Sequence, residues 1–234
     1  SASYNSVNTG SIVADGSGTT VYVRGNFDNN GTLTAQNNGI LRFDGSTTAA
    51  NLGSVVLSTG GRALLNGTVD NTVGSIAAPS GGTFELLGGT IVGGSLNPAA
   101  LTFTSSGGYL TGVTVAGDLS LSLANSNVHF QSGTSFTGAN ANLANSAYLY
   151  WQQVGTLTGK TITMGGGSSF YLTGTNNALT LDPTTTVTGS TSFYTDGSTG
   201  ISFTNQGTIN FTGSSASIYA PTFTNSGSIT ATAG

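Results

Sequence analysis

Cysteine is absent from this chain of 234 residues, and charge is nearly so. Zero cysteine excludes disulfides, thiolate chemistry and cysteine-bound zinc. Charged residues make up 5% of the chain, against about 25% in ordinary globular proteins. The basic residues are only Arg24, Arg42, Arg62 and Lys160. They are too few to neutralise a run of phosphates, so nucleic acid and anionic membrane surfaces are not expected partners. No run approaches 18 apolar residues, and no membrane insertion of this segment is expected. Proline is scarce, at 4 residues, which excludes collagen and polyproline linkers. The chain begins at Ser1 without Met, which reads as a processed form or a segment of a longer chain.

What is present is glycine, at 37 residues, with 36% hydrophobic residues in regular positions. Disorder combines low hydrophobicity with high charge, so this composition is expected to fold. A short phrase returns through the chain: Asn, any residue, Gly, Ser or Thr, then Ile, Leu or Val. It reads Asn8-Thr9-Gly10-Ser11-Ile12, Asn29-Asn30-Gly31-Thr32-Leu33 and Asn51-Leu52-Gly53-Ser54-Val55. It weakens to Val73-Gly74-Ser75-Ile76 and Gly93-Gly94-Ser95-Leu96, then returns at Asn205–Ile209, with Gly207, and at Asn225–Ile229, with Gly227. The first five glycines are 21, 22, 21 and 20 residues apart. A fixed period of about 20–50 residues signals an array of one supersecondary unit.

A second phrase keeps the same beat. Val21-Tyr22-Val23, Leu41-Arg42-Phe43, Ala63-Leu64-Leu65 and Phe84-Glu85-Leu86 open a series that runs to Ile218-Tyr219. Nine steps carry residue 22 to residue 218, a mean of about 21.8 residues. Apolar flanks around a variable middle give the period-2 alternation of a half-buried strand. No window shows a capped helical stripe. The expected fold is therefore all-β: a parallel β-solenoid of about 10–11 coils, each of three short strands and three turns, as one domain over residues 1–234. Glycine at the corners is expected to supply positive φ. Asn8, Asn29 and Asn51 are expected to form an amide ladder along the axis. Ile12, Leu33, Val55, Ile76 and Leu96 are expected to form one internal row, and Val23, Phe43, Leu65 and Leu86 another.

Strings such as NLGSVVLSTGGRALLNGTVDNTVGSIAAPSGGTFELLGGTIVGGSL resemble the repeats of large secreted bacterial β-solenoids, namely autotransporter passengers and filamentous-haemagglutinin-like adhesins. The resemblance implies an exported, structural or adhesive protein at the bacterial cell surface, a rod that builds or presents a fibre. Its expected partner is itself, stacked end to end or as neighbouring repeats of a longer chain, and surface glycans are a further partner class. The family shares no catalytic residues that could be carried over. The alternative is a carbohydrate-binding or polysaccharide-cleaving solenoid.

That alternative needs placed carboxylates. Asp28 and Asp70 share a phase 42 residues apart, two coils or about 9.6 Å by strand spacing. Such a gap suits an inverting pair, but no third acid and no base shares the phase, and the simpler reading is solvated turn carboxylates. His129, the lone histidine, reads as an outward strand residue without metal partners. Gly165-Gly166-Gly167 is followed by no lysine and is not a phosphate loop. No catalytic, cofactor or metal residue is expected, and the chain is not expected to be an enzyme. The candidate contact residues are Tyr148, Trp151 and Tyr171, from the one aromatic concentration. A competing reading puts Tyr148 and Tyr150 in the core, with Trp151 at a corner. An ice-binding face would repeat Thr-x-Thr in successive coils. Thr32-x-Thr34 is followed by Ser54-x-Val56 and Ser75-x-Ala77, so no such face is expected.

Overall fold

A computed structural model describes residues 4–212 and 217–232. It is all-β, with 56% strand and 3% helix, and its parallel strands stack as a β-solenoid of about 11 turns. Two compact units divide the chain, Ser1–Ala116 and Gly117–Gly234.

Three parallel sheets run through the first unit. One begins Asn5–Asn8, Asn26–Asn29 and Ser46–Thr48 and continues to Tyr109–Thr111. Another holds Ser11–Asp15, Thr32–Gln36 and Ser54–Leu57. The third holds Thr20–Val23, Ile40–Phe43, Arg62–Leu65, Phe84–Leu86 and Leu101–Phe103. In that third sheet Val23, Phe43, Leu65, Leu86 and Phe103 sit one above another, all buried. Ile12, Leu33 and Val55 stack in the same way. Ile76 is buried but belongs to no strand, and Leu96 pairs with Val115 in a separate short ladder. The expected five-member row therefore stops at three.

The second unit also has three strand faces. One carries Asn140–Leu143, the first part of Thr161–Leu172, the first part of Thr186–Thr195, Thr208–Thr212 and Ser228–Thr232. A second carries Asn127–Gln131, Tyr148–Gln152 and the later parts of the same two long strands. The third carries Val154–Leu157, Ala178–Leu181, Ser202–Asn205 and Thr222–Asn225. Gly165-Gly166-Gly167 forms the corner of the first long strand, where the register shifts between Met164 and Ser168. Buried Phe170, Phe193 and Phe203 stack ring on ring at 5.4 and 4.6 Å, and the more exposed Phe223 follows Phe203 at 5.3 Å.

The corner glycines are required on two counts, close stacking and positive φ. A Cβ on Gly31 would lie 2.0 Å from the Gly10 carbonyl oxygen, and one on Gly227 would lie 2.1 Å from that of Gly207. Neither has a positive φ, and Gly10, in the first turn, has nothing within 4 Å. Gly53 and Gly74 do adopt positive φ, at 59° and 84°. Any side chain at Gly31 or Gly227 would push adjacent turns apart.

The asparagine ladder is real but has other members than the spacing suggests. The Asn8 amide donates to Asn29 Oδ1 at 2.8 Å, and the Asn29 amide donates to the carbonyls of Leu52 and Ser54. Asn51 stands outside this chain of bonds. Asn26 pairs with Ser46, twenty residues on, yet Thr32 pairs with Ser54, twenty-two on. The two extra residues are absorbed by a 3-10 turn, Ala50–Leu52, in which the Asn51 N–H donates to Thr48 Oγ1. Buried Ala49 takes the inward position. One turn later Asn71, 1% exposed, resumes the role and donates to the carbonyls of Gly93 and Ser95. Its Oδ1 also accepts the Ile76 N–H. In the second unit Asn205 donates to Asn225 at 2.7 Å.

Removing Asn71 takes away the donor to two partly buried carbonyls and the acceptor of the buried Ile76 N–H. Asn71→Ala is therefore expected to lower unfolding stability by about 1–3 kcal/mol. Asn51→Ala is expected to change it by less than about 0.5 kcal/mol. Denaturant unfolding of the two variants compares them directly, and equal losses would contradict the assignment.

Candidate functional site

The most distinctive surface of the second unit is a column of aromatic side chains. Successive turns set His129, Tyr150, Tyr171 and Tyr194 in register. His129 and Tyr150 are stacked at 4.2 Å with planes 4° apart. Tyr150 and Tyr171 follow at 5.2 Å, and Tyr171 and Tyr194 at 5.5 Å. The alternating residues point inward, among them Phe130, Leu149, Trp151, Phe170 and Phe193, all buried. The column follows from one outward histidine repeated by aromatics one turn apart, at 21-residue steps from 129 to 150 to 171.

This geometry reverses part of the sequence expectation. Trp151 is not available to a ligand: it is 2% exposed, and its indole N–H donates to the Ala178 carbonyl at 2.9 Å. Tyr148 and Tyr150 are the outward residues of that strand, not the core. The four aromatic and aliphatic residues 148–151 carry no polarity difference to fix which pair faces in. Pairing of Leu149 with Val128 and Phe170 decides it. Tyr148 and Tyr171 do come together, edge to face at 5.7 Å and 70°. With Tyr194, Ser168, Ser169 and Ser192 they line a cleft of about 300 Å³.

The chain matches no protein-family model, no curated protein and no solved structure. Residue chemistry and register therefore carry the functional argument.

Burial, then the neighbouring phenols Tyr171 and Tyr148, raises the Tyr150 hydroxyl above its ordinary range. Burial, then Tyr148 and Tyr194, does the same for Tyr171. Both phenols are neutral at ordinary pH and serve as hydrogen-bonding groups. Each stacked ring covers its neighbour's face, which leaves edges and hydroxyls as the main outward chemistry.

Asp28 and Asp70 line a cleft of about 370 Å³ on the first unit, together with Thr48 and Asn51. The Thr72 hydroxyl and backbone N–H bond Asp70 and hold its pKa below the usual value. Asp15 is held down by Asn37 and Gln36, and Asp118 by Asn140. Among the described residues every displaced carboxyl is displaced downward. A general acid for glycoside cleavage needs the opposite shift. Among the described residues no group of three or more His, Cys, Asp or Glu side chains is placed to hold a metal.

The cations are also engaged internally. Arg24 and Arg42 both meet Asp44, and Arg62 meets Glu85. The Lys160 ammonium donates to the carbonyls of Phe136, Thr137 and Gly138 and lies 4.6 Å from the centre of the Phe136 ring. A polyanion would have to compete with each of these contacts.

Burial lowers the pKa of His129, against a smaller opposing hydrogen bond with Gln152. The unfolded chain, with a pKa near 6.5, then binds the proton more tightly than the fold does. Stability from this site is complete above about pH 6.5 and declines as pH falls toward the lower folded value. The thermal midpoint is expected to drop across that window in the native chain and to flatten in His129→Gln. A His129 NMR titration at or above the free value would refute the assignment.

Proposed function

We propose that this chain is a structural and adhesive extracellular protein: a β-solenoid that builds or presents a bacterial surface fibre and adds further turns end to end. The observation that carries the reading is the likeness of the last described turn to the first, which lets a further turn seat on it whether that turn belongs to a second copy or to a longer chain. Phe223 and Ile229 are 39% and 36% exposed, although Phe203 and Ile209 beneath them are fully buried. This turn reads TFTN, two residues, then SITAT, and the first turn reads NSVN, two residues, then SIVAD. A second copy seated in register sets Asn8 on Asn225, Ile12 on Ile229 and Ala14 on Ala231. The Asn205-to-Asn225 amide ladder then continues by the same bond that already joins Asn8 to Asn29. An open strand edge with almost no charge is a template for such pairing.

The resemblance to secreted adhesin repeats and the absence of cysteine, which suits export as an unfolded chain, support a secreted or cell-surface location. A second reading, carbohydrate binding, is favoured by the hydroxyl-rich cleft beside Tyr148 and Tyr171. In that reading the ring of Tyr148 stacks on a sugar, and Tyr148→Ala abolishes retention on a glycan array.

For the first reading, sedimentation velocity and electron microscopy of the 234 residues are expected to show assembly that grows with concentration. Phe223→Asp with Ile229→Asp places two charges on the uncovered turn and is expected to leave a folded monomer. A native chain that stays monomeric at every concentration would end this reading.

A further inference from the structure

We infer that the threonine-bearing face of the second unit binds ice. Its centre is six outward residues on three adjacent strands: Thr161 and Thr163, Thr186 and Thr188, Thr208 and Asn210. Thr161 pairs with Thr186 and Thr186 with Thr208, while Thr163 pairs with Thr188 and Thr188 with Asn210. The array extends through Asn140 and Asn142 on one side and Ser228 and Thr230 on the other. None of these ten outward positions is charged. Between the two columns Ile162, Val187 and Ile209 point inward and are fully buried, which pins the strands from below. Among the described residues no internal hydrogen bond occupies the hydroxyls of Thr161, Thr163, Thr186, Thr188 or Thr208.

The occupant follows from the spacing and the neutrality. Hydroxyls repeat at about 4.8 Å from strand to strand and about 6.6 Å along each strand. That is a nearly rectangular net, close to the two repeats of water oxygens on a prism face of hexagonal ice. Threonine is stiff at χ1, and each one lies beside a like residue, so the net is held before contact. Each hydroxyl is paired with a methyl group that orders the water beside it. A neutral surface complements a neutral lattice, whereas a charged side chain would keep a hydration shell that fits no ice plane. The face has no aromatic platform for a sugar. It also has no large apolar side chains, whose burial would hold a second copy.

The turn lengths hide this face. From Asn140 to Thr161, Thr186, Thr208 and Ser228 the steps are 21, 25, 22 and 20 residues. No fixed period finds it, and the first-unit stretch from Thr32-x-Thr34 lacks it.

The test is ice-affinity partitioning of the full chain, with thermal hysteresis and crystal shape read under a cold-stage microscope. The native chain is expected to concentrate in the ice fraction and to facet growing crystals. Thr163→Lys with Thr208→Lys, which are not neighbours in the net, is expected to abolish both effects while the circular dichroism and unfolding midpoint stay native. Thr180→Lys, on the neighbouring Ala178–Leu181 sheet, is expected to leave both effects intact. Exclusion of the native chain from ice would overturn the proposal. So would survival of ice binding in the double variant, or its loss through Thr180→Lys alone.

Discussion

Within each unit, each turn is hydrogen-bonded to the next through parallel backbone ladders, which fix the rise at about 4.8 Å per turn. Whatever a position carries, its neighbour along the axis is the same position one turn away. Leu33 lies on Ile12, Phe193 on Phe170, Tyr171 on Tyr150 and Thr186 on Thr161. Side chains that tolerate their own kind at that distance persist, and like charges do not. Threonine, asparagine, aromatic rings and aliphatic rows meet the condition, and a chain with 5% charge is one outcome of it. The few ionic contacts obey it too. Arg24 meets Asp44 and Arg62 meets Glu85 across turns, and Arg42 meets Asp44 within one turn, so each charge has an opposite charge beside it.

The same rise explains the glycines. Where backbone lies directly over backbone at a corner, no room remains for a Cβ, as at Gly31 over Gly10 and Gly227 over Gly207. The Asn-x-Gly phrase is one mechanical part. Asparagine satisfies the corner carbonyls of the turn above, and glycine lets that turn come close enough to be reached.

Much of this was legible in the sequence because period and alternation act locally. The row Val23, Phe43, Leu65 and Leu86 could be read off directly, since its spacing is regular and its neighbours are polar or variable. Three features could not be read this way. Trp151 sits inward because of pairing with strands on both sides, and no residue in its own segment states that direction. Asn71 is preceded by Asp70 and lacks the Asn-x-Gly-Ser phrase, so its equivalence to Asn29 shows only when Ala49 is seen between them. The threonine net is hidden by unequal turn lengths. In each case register in three dimensions overrode distance along the chain.

The short 3-10 turn Ala50–Leu52 has a wider consequence. It takes up two extra residues at a corner while the strands on either side keep their partners. Length changes are thereby separated from changes of surface chemistry. A gene encoding such a turn can gain or lose a few codons at that corner without scrambling the faces, and a face can be rewritten residue by residue without altering the corner. Insertions and substitutions then explore different properties of one molecule, and neither kind of change has to wait for the other.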